Sequence, residues 1–190
     1  IGHTRWATHG EPSDTNSHPH TSADGSISIV HNGIIENYAE LKARLQAQGS
    51  VFLSQTDTEV VVHLIDKLYK EEKDIFKAVL KALHTLEGSY AFGVICKDYP
   101  DRVICCRKES PLVVGLGKGE NFIASDVPAL LEHTRDVYYL GEKELETSRK
   151  NHKTYTAQRG NGFEKTNVAS QRLSPSVGYW GSGTSSGGGG

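Results

Sequence analysis

Ser26-Ile-Ser-Ile-Val30, followed at once by His31-Asn-Gly-Ile-Ile35, is the stretch on which the fold turns. Polar and apolar residues alternate over 26–30, the period of a half-buried strand. The strand is expected to end at His31, Asn32 and Gly33, which puts that tripeptide at its C-terminal edge. Gly33 can take positive φ there and let a ligand near the backbone N–H. Asn-Gly is more commonly a simple turn. Here it would have to join a strand to a helix, with apolar Ile34 and Ile35 directly after it, so a hairpin is disfavoured.

Downstream, the period becomes helical. Asn37 reads as an N-cap with Glu40 as its capping-box partner. The helix over 38–48 buries Leu41 and Leu45 and stops at Gly49. Residues 51–53 read as a short strand or extended piece. Thr56 or Thr58 caps a second helix to about residue 69, with Val60, Val61, Leu64, Ile65 and Leu68 at helical spacing. Asp57 stands at its N-terminus, where a carboxylate suits the macrodipole. Asp74 caps a third helix with Ile75, Val79, Leu80, Leu83 and Leu86 on one face and Gly88 at its end. The period then shifts to two, predicting strands at 90–96, 103–107, 112–116, 121–124 and 136–140. One strand, three helices and a run of strands favour a layered α+β domain with antiparallel sheet over an alternating βαβ fold.

Upstream, residues 1–26 read as loop and carry most of the chemistry. Arg5 is a fixed cation whose planar fork fits a carboxylate, although a lone Arg is more often in a surface ion pair. Trp6 beside it suits a lid over a small pocket or plain core packing. Five of the nine histidines (His3, His9, His18, His20, His31) fall in the first 31 residues. A zinc site needs three or four such ligands, yet no acid or Cys stands at ligand spacing, so hydrogen bonding is expected and no metal. Asn32 and Gly33 can offer a side-chain and a backbone N–H to one point, as an oxyanion hole does. Asp57 could hold an ammonium or act only as a first-turn helix acid. Together these groups suit an α-amino acid with a reactive side-chain carbonyl. What the stretch lacks is a nucleophile. Ser26, Ser28 and Ser54 have no G-x-S-x-G context, and Cys96, Cys105 and Cys106 fall inside predicted strands. No P-loop or dinucleotide fingerprint appears, so no cofactor is expected.

Composition sets the outer limits. The chain has 190 residues, 36% hydrophobic, with net charge -2 and mean hydropathy -0.46. That is enough for one globular domain and gives no reason to expect nucleic acid or a membrane as partner. Three cysteines in no paired framework favour a reducing, cytoplasmic setting. There is no Met, and position 1 is Ile, so a fragment is expected. Residues 146–190 hold six Lys or Arg against two acids, a net of +4, while the remainder carries -6. Only seven of those 45 residues are large and apolar, and the end is Gly/Ser-rich. A domain over 1–145 and an atypical basic tail over 146–190, disordered or out of frame, are expected.

The assembled motifs resemble the class II, N-terminal-nucleophile glutamine amidotransferase domain, in the form carried by the glutamine–fructose-6-phosphate aminotransferase (isomerising) family. The matching runs are His3-Thr-Arg-Trp-Ala-Thr-His-Gly-Glu-Pro12, Asn16-Ser-His-Pro-His20, His31-Asn-Gly-Ile-Ile-Glu-Asn37, Ser54-Gln-Thr-Asp-Thr-Glu59, Ser110-Pro-Leu112 and Ala124-Ser-Asp126. The resemblance implies the four-layer αββα sandwich, incomplete at both ends. It implies that Arg5 holds the α-carboxylate of L-glutamine or L-glutamate and Asp57 its ammonium. Thr8 and His9 would line the pocket, Trp6 would belong to the loop that closes it, His18 would lie near, and Asn32 and Gly33 would form the oxyanion hole. It further implies ammonia transfer to an isomerase domain that makes glucosamine 6-phosphate from fructose 6-phosphate, in a full-length homodimer. The family nucleophile is an N-terminal Cys. Ile1 stands here instead, so the chain as given is expected to be inactive alone. A non-catalytic glutamine-binding remnant and the other class II enzymes, asparagine synthase and amidophosphoribosyltransferase, are the alternatives.

Overall fold

The alternation that begins at Ile27 runs further than the sequence pattern suggests. In the computed structural model, which describes residues 1–4, 10–141, 144–149 and 171–172, it extends through Ile35. The elements follow the order β1 (His20–Thr21), β2 (Ile27–Ile35), α1 (Tyr38–Ala47), α2 (Asp57–Glu72), α3 (Ile75–Leu83), β3 (Gly88–Cys96) and β4 (Arg102–Lys108). After them come β5 (Val113–Leu116), β6 (Asn121–Ala124), a 3-10 turn (Val127–Leu130), β7 (Asp136–Tyr139), β8 (Glu144–Arg149) and β9 (Gln171–Arg172). The strands form two antiparallel sheets, β1-β2-β3-β4-β8 and β6-β5-β7-β9.

Period two along the strands decides the layering. Ile27, Ile29 and Ile35 of β2, with Tyr90, Phe92 and Val94 of β3, point to the helices and share a core with Leu41, Leu45, Val61, Ile65 and Val79. Their neighbours point the other way. Ala91 and Cys105 pack with Leu112, Val114, Leu116 and Tyr138 between the sheets. Adjacent Cys105 and Cys106 therefore serve different cores, as the strand period requires. The sheets approach closely at Gly93, where a Cβ would come within 2.6 Å of Ile123 Cδ1. Outside the second sheet, the 3-10 turn lays Leu130 against Val113 and Val137. The described residues thus build a helical layer, two sheets and a cover of one turn, which is the expected α+β sandwich arrangement.

Local signals set most helix starts. Thr56 caps α2 by accepting from Glu59 N–H, at 3.3 Å. The Glu59 carboxylate reaches back to the N–H groups of Leu53 (2.8 Å) and Ser54 (2.7 Å) and to the Ser54 hydroxyl (2.6 Å). This is a capping box whose acidic arm extends past the cap itself. Asp74 caps α3 at the N–H groups of Phe76 and Lys77.

Three expectations need correction. Asn32 and Gly33 lie inside β2, because β3 keeps pairing with them through Ala91 and Tyr90 and ends opposite Ile35. Asn37 precedes α1 without a side-chain cap. Its amide instead donates to Thr85 O and accepts from Glu87 N–H, tying α1 to the approach to β3. Helix α3 stops at Leu83, and Gly88 opens β3 rather than closing a helix. Of the two readings for residues 51–53, the structure has no strand there, which leaves the extended piece, and Val51 and Leu53 are 72% and 80% exposed. Strand β8 runs across the 145–146 junction to pair with β4, and β9 pairs with β7. The rest of the expected tail lies outside the described residues.

Candidate functional site

Strand β2 sends consecutive side chains to opposite faces. His31 turns toward the helices, 3% exposed, with its ring against Phe92. Asn32 turns toward the second sheet and lines a cavity of about 500 Å³ with His3, Val30, Leu112, Ile123 and Ser125. Among the described residues, β1 pairs with β2 only at Ser28 and Ile29.

The N-terminus of α2 is the opposite anchor. Asp57 is 3% exposed, and its Oδ2 accepts from Ile35 N–H at 2.9 Å, which pins the helix start to β2. Thr58 follows, and its Oγ1 is a hub. It lies 2.9 Å from His31 Nδ1, 3.0 Å from His18 Nε2 and 3.5 Å from Asp57 Oδ1. His18 Nδ1 lies 3.0 Å from His3 Nδ1, and His3 Nε2 lies 2.5 Å from Asn32 Oδ1. The two rings meet edge to face, 4.4 Å apart. Nearby, His20 Nε2 and Ser54 Oγ each stand 2.9 Å from Thr56 Oγ1. The first-turn residues of α2 are thus joined to Asn32 on the far side of the sheet.

Gly33 has φ +120, a conformation L side chains rarely adopt. A Cβ there would stand 2.2 Å from Ser89 O and 2.9 Å from Ser110 Oγ. Bare backbone is therefore required beside Asn32 for steric reasons, whatever else Gly33 does.

Charge around the site is held by geometry. Burial pushes the Glu59 carboxyl up, yet the N–H of Leu53, the Ser54 hydroxyl and N–H, and His63 together hold it below its ordinary value. Burial raises the Cys106 thiol far above the ordinary range and also raises that of Cys96. All three cysteines are buried and none is in a disulfide. None is placed to act as a nucleophile, since the reactive form is the thiolate and burial disfavours it. Among the described residues no three His, Cys, Asp or Glu side chains are placed to hold a metal ion.

Of the residues singled out in the sequence, Asn32, Gly33, His18 and Asp57 gather at this end of β2. Arg5, Trp6, Thr8 and His9 lie outside the described residues. Two participants went unassigned. His3 stood only among the N-terminal histidines, and Thr58 only as a helix cap. The threonines on either side of Asp57, opposite a His-rich stretch, were the available signal. A second cavity, about 600 Å³, opens near Ser28, Lys97 and Arg102 and contains none of these residues.

The profile of a glutamine amidotransferase domain matches residues 3–132. Curated relatives named glutamine–fructose-6-phosphate aminotransferase (isomerising) align over 145 residues. Those of Clostridium tetani and Caldanaerobacter subterraneus are each 61% identical across 76% of this chain and 24% of their own. That of Methanothermobacter thermautotrophicus is 52% identical across 76% and 25%. The chain spans about a quarter of the length of these relatives. Among solved structures, the glutamine phosphoribosylpyrophosphate amidotransferase of B. subtilis superposes with a TM-score of 0.57 at 24% identity, over 81% of this chain and 35% of that one. This last likeness concerns fold alone.

Proposed function

The chain belongs to the glutamine amidotransferase domain family, and from that premise we propose that it is the glutamine-handling part of a longer glutamine–fructose-6-phosphate aminotransferase. The observation that carries this reading is Asn32. Its side chain lines a cavity of amino-acid size and is joined by hydrogen bonds to the helix start that bears Asp57. The reading places the glutamine side-chain amide in that cavity, with Arg5 on the α-carboxylate and Asp57 on the ammonium. Thr8 and His9 line the pocket, Trp6 closes it, and His18 supports it. When a thiolate adds to the amide carbon, the carbonyl oxygen becomes an oxyanion. Asn32 Nδ2–H and the Gly33 N–H receive it, and loss of one such donor costs roughly 10²–10³ in kcat. Collapse of the tetrahedral adduct expels ammonia, and water then releases glutamate from the thioester.

The thiolate is not among this chain's own cysteines, which are buried in strands. We expect the 190 residues alone to bind L-glutamine without hydrolysing it. The same burial favours the second reading, a glutamine- or glutamate-binding module without chemistry. In the whole protein, ammonia would pass to an isomerase domain acting on fructose 6-phosphate, in a cytoplasmic homodimer that needs no cofactor. Among the described residues no helix is long and apolar enough to cross a membrane. The domain would occupy residues 1 to about 145, with its strand β8 running on to Arg149. Identities of 52–61% to relatives of the fructose-6-phosphate type support this substrate over those of the other class II enzymes.

Calorimetry with L-glutamine tests the binding claim. L-glutamine should bind and D-glutamine should not. Arg5→Ala and Asp57→Asn should each weaken binding by about ten- to a hundredfold, the worth of a charge-assisted hydrogen bond. No heat from millimolar L-glutamine with folded protein would end the proposal.

A further inference from the structure

Asn32 can serve an oxyanion only if its amide faces the right way. A carboxamide offers a donor on one side and an acceptor on the other, and the two ends are nearly the same size. Something must hold the oxygen away from the cavity. The structure places His3 at that oxygen, 2.5 Å from Nε2.

The protons along the chain of contacts can be assigned one by one. A neutral imidazole carries one N–H and one bare nitrogen. Asn32 Oδ1 only accepts, so His3 holds its proton on Nε2 and leaves Nδ1 bare. The link between the two Nδ1 atoms, 3.0 Å long, then takes its proton from His18. That leaves His18 Nε2 bare to accept the Thr58 O–H at 3.0 Å. Asp57 Oδ1, at 3.5 Å, is the weaker competitor for that proton. Thr58 Oγ1 in turn accepts from His31 Nδ1–H at 2.9 Å. Every proton points toward Asn32. The reverse sense is also complete, but it turns Nδ2 to His3 and the amide oxygen into the cavity, where it would repel an oxyanion. A state that is half one and half the other places two N–H groups or two bare nitrogens across one link and loses that hydrogen bond.

We propose that His3 is a positioning residue for Asn32, holding the amide with its Nδ2 donors toward the cavity, and that Thr58 supports this arrangement through its contact with His18. The proposal rests on the reading of Asn32 as an oxyanion donor. It also accounts for the path of the contacts. They run round the edge of β2, beyond its pairing with β1 among the described residues, and so join a helix start on one face to a side chain on the other.

Long-range ¹H–¹⁵N spectra of the ¹⁵N-labelled 190-residue chain report which ring nitrogen is protonated. His3 should be protonated on Nε2 and His18 on Nδ1. Thr58→Val should reduce the His3 tautomer preference about tenfold, the factor that one ordinary hydrogen bond confers, and should speed exchange of the Asn32 side-chain amide protons. Thr58→Ser should restore both signatures. His3→Gln, which keeps a donor at the place of Nε2, should keep the amide exchange slow, and His3→Ala should not. A His3 protonated on Nδ1 in the native chain would overturn the proposal. So would a folded Thr58→Val variant with His3 and Asn32 signals unchanged. If Thr58→Val does not fold, the native tautomers and the two conservative variants decide. L-glutamine titration separates the two layers. The expected tautomers without any response to L-glutamine would sink the oxyanion reading and leave the His3–Asn32 coupling standing.

Discussion

Replacing Gly33 with Ala should be among the most damaging single-methyl changes in this chain, and its cost follows from two separate observations. The first is conformation. Gly33 has φ +120, and an L residue held at positive φ is strained by about 1–2 kcal/mol. The second is contact. The new Cβ would stand 2.2 Å from Ser89 O and 2.8 Å from Ser89 C, backbone atoms of the paired strand that move only if the ladder opens. Overpacking of this kind costs about 1–3 kcal/mol. The total, about 2–5 kcal/mol, is a large fraction of the 5–15 kcal/mol that stabilises an ordinary domain. Gly25 supplies the control. It also has positive φ, +67, but nothing lies within 4 Å of its would-be Cβ. Gly25→Ala should therefore cost only the strain, about 1 kcal/mol. Urea unfolding of both variants measures the difference. With a slope of about 2 kcal/mol/M, inside the usual 1–3, the Gly33→Ala midpoint should fall about 0.5–2 M below that of Gly25→Ala. Two variants within about 0.5 kcal/mol of each other would refute the close approach of β2 and β3 at Gly33.

Glu59→Gln removes a buried carboxylate that accepts from Leu53 N–H, Ser54 N–H and the Ser54 hydroxyl, and should cost about 1.5–3 kcal/mol near pH 7 by thermal or urea unfolding. Because the folded-state carboxyl titrates below its ordinary 4.5, its contribution is complete above that value and is lost as pH falls through the folded value. The gap between native protein and variant should hold from pH 7 to 5 and shrink below 4.5. A gap independent of pH down to 3 would contradict the assignment. All three thiols should react slowly with iodoacetamide at neutral pH in the folded chain and completely in denaturant, since each is buried. Rapid labelling of Cys105 or Cys106 in native protein would mean that the inter-sheet or helix-side core is not closed.

The parts legible in the sequence are those governed by neighbours. Thr56 and Asp74 announce α2 and α3 because a cap acts within three residues. The opposite destinations of Cys105 and Cys106 follow from strand period alone. Strand β6 matches its expected bounds because it is short and flanked by turns. What sequence missed depends on distant partners. Asn37 has the right residue type for a cap, but Thr85 and Glu87, about fifty positions on, claim its amide. Strand β2 overruns its expected end because β3 supplies partners through Gly88. In the candidate site, residue types drew attention to Asn32, Gly33 and Asp57, which the fold brings to one end of β2. Nothing local shows that Thr58 faces two histidines from separate segments, because that meeting exists only once α2 is docked on β2.

The most direct measurement is a crystal structure of the chain with L-glutamine bound. The account predicts the ligand in the cavity at Asn32, its side-chain carbonyl oxygen within hydrogen-bond distance of Asn32 Nδ2 and its ammonium on Asp57. Ligand seated instead near Lys97 and Arg102, or at Asn32 with the amide oxygen facing it, would contradict the account.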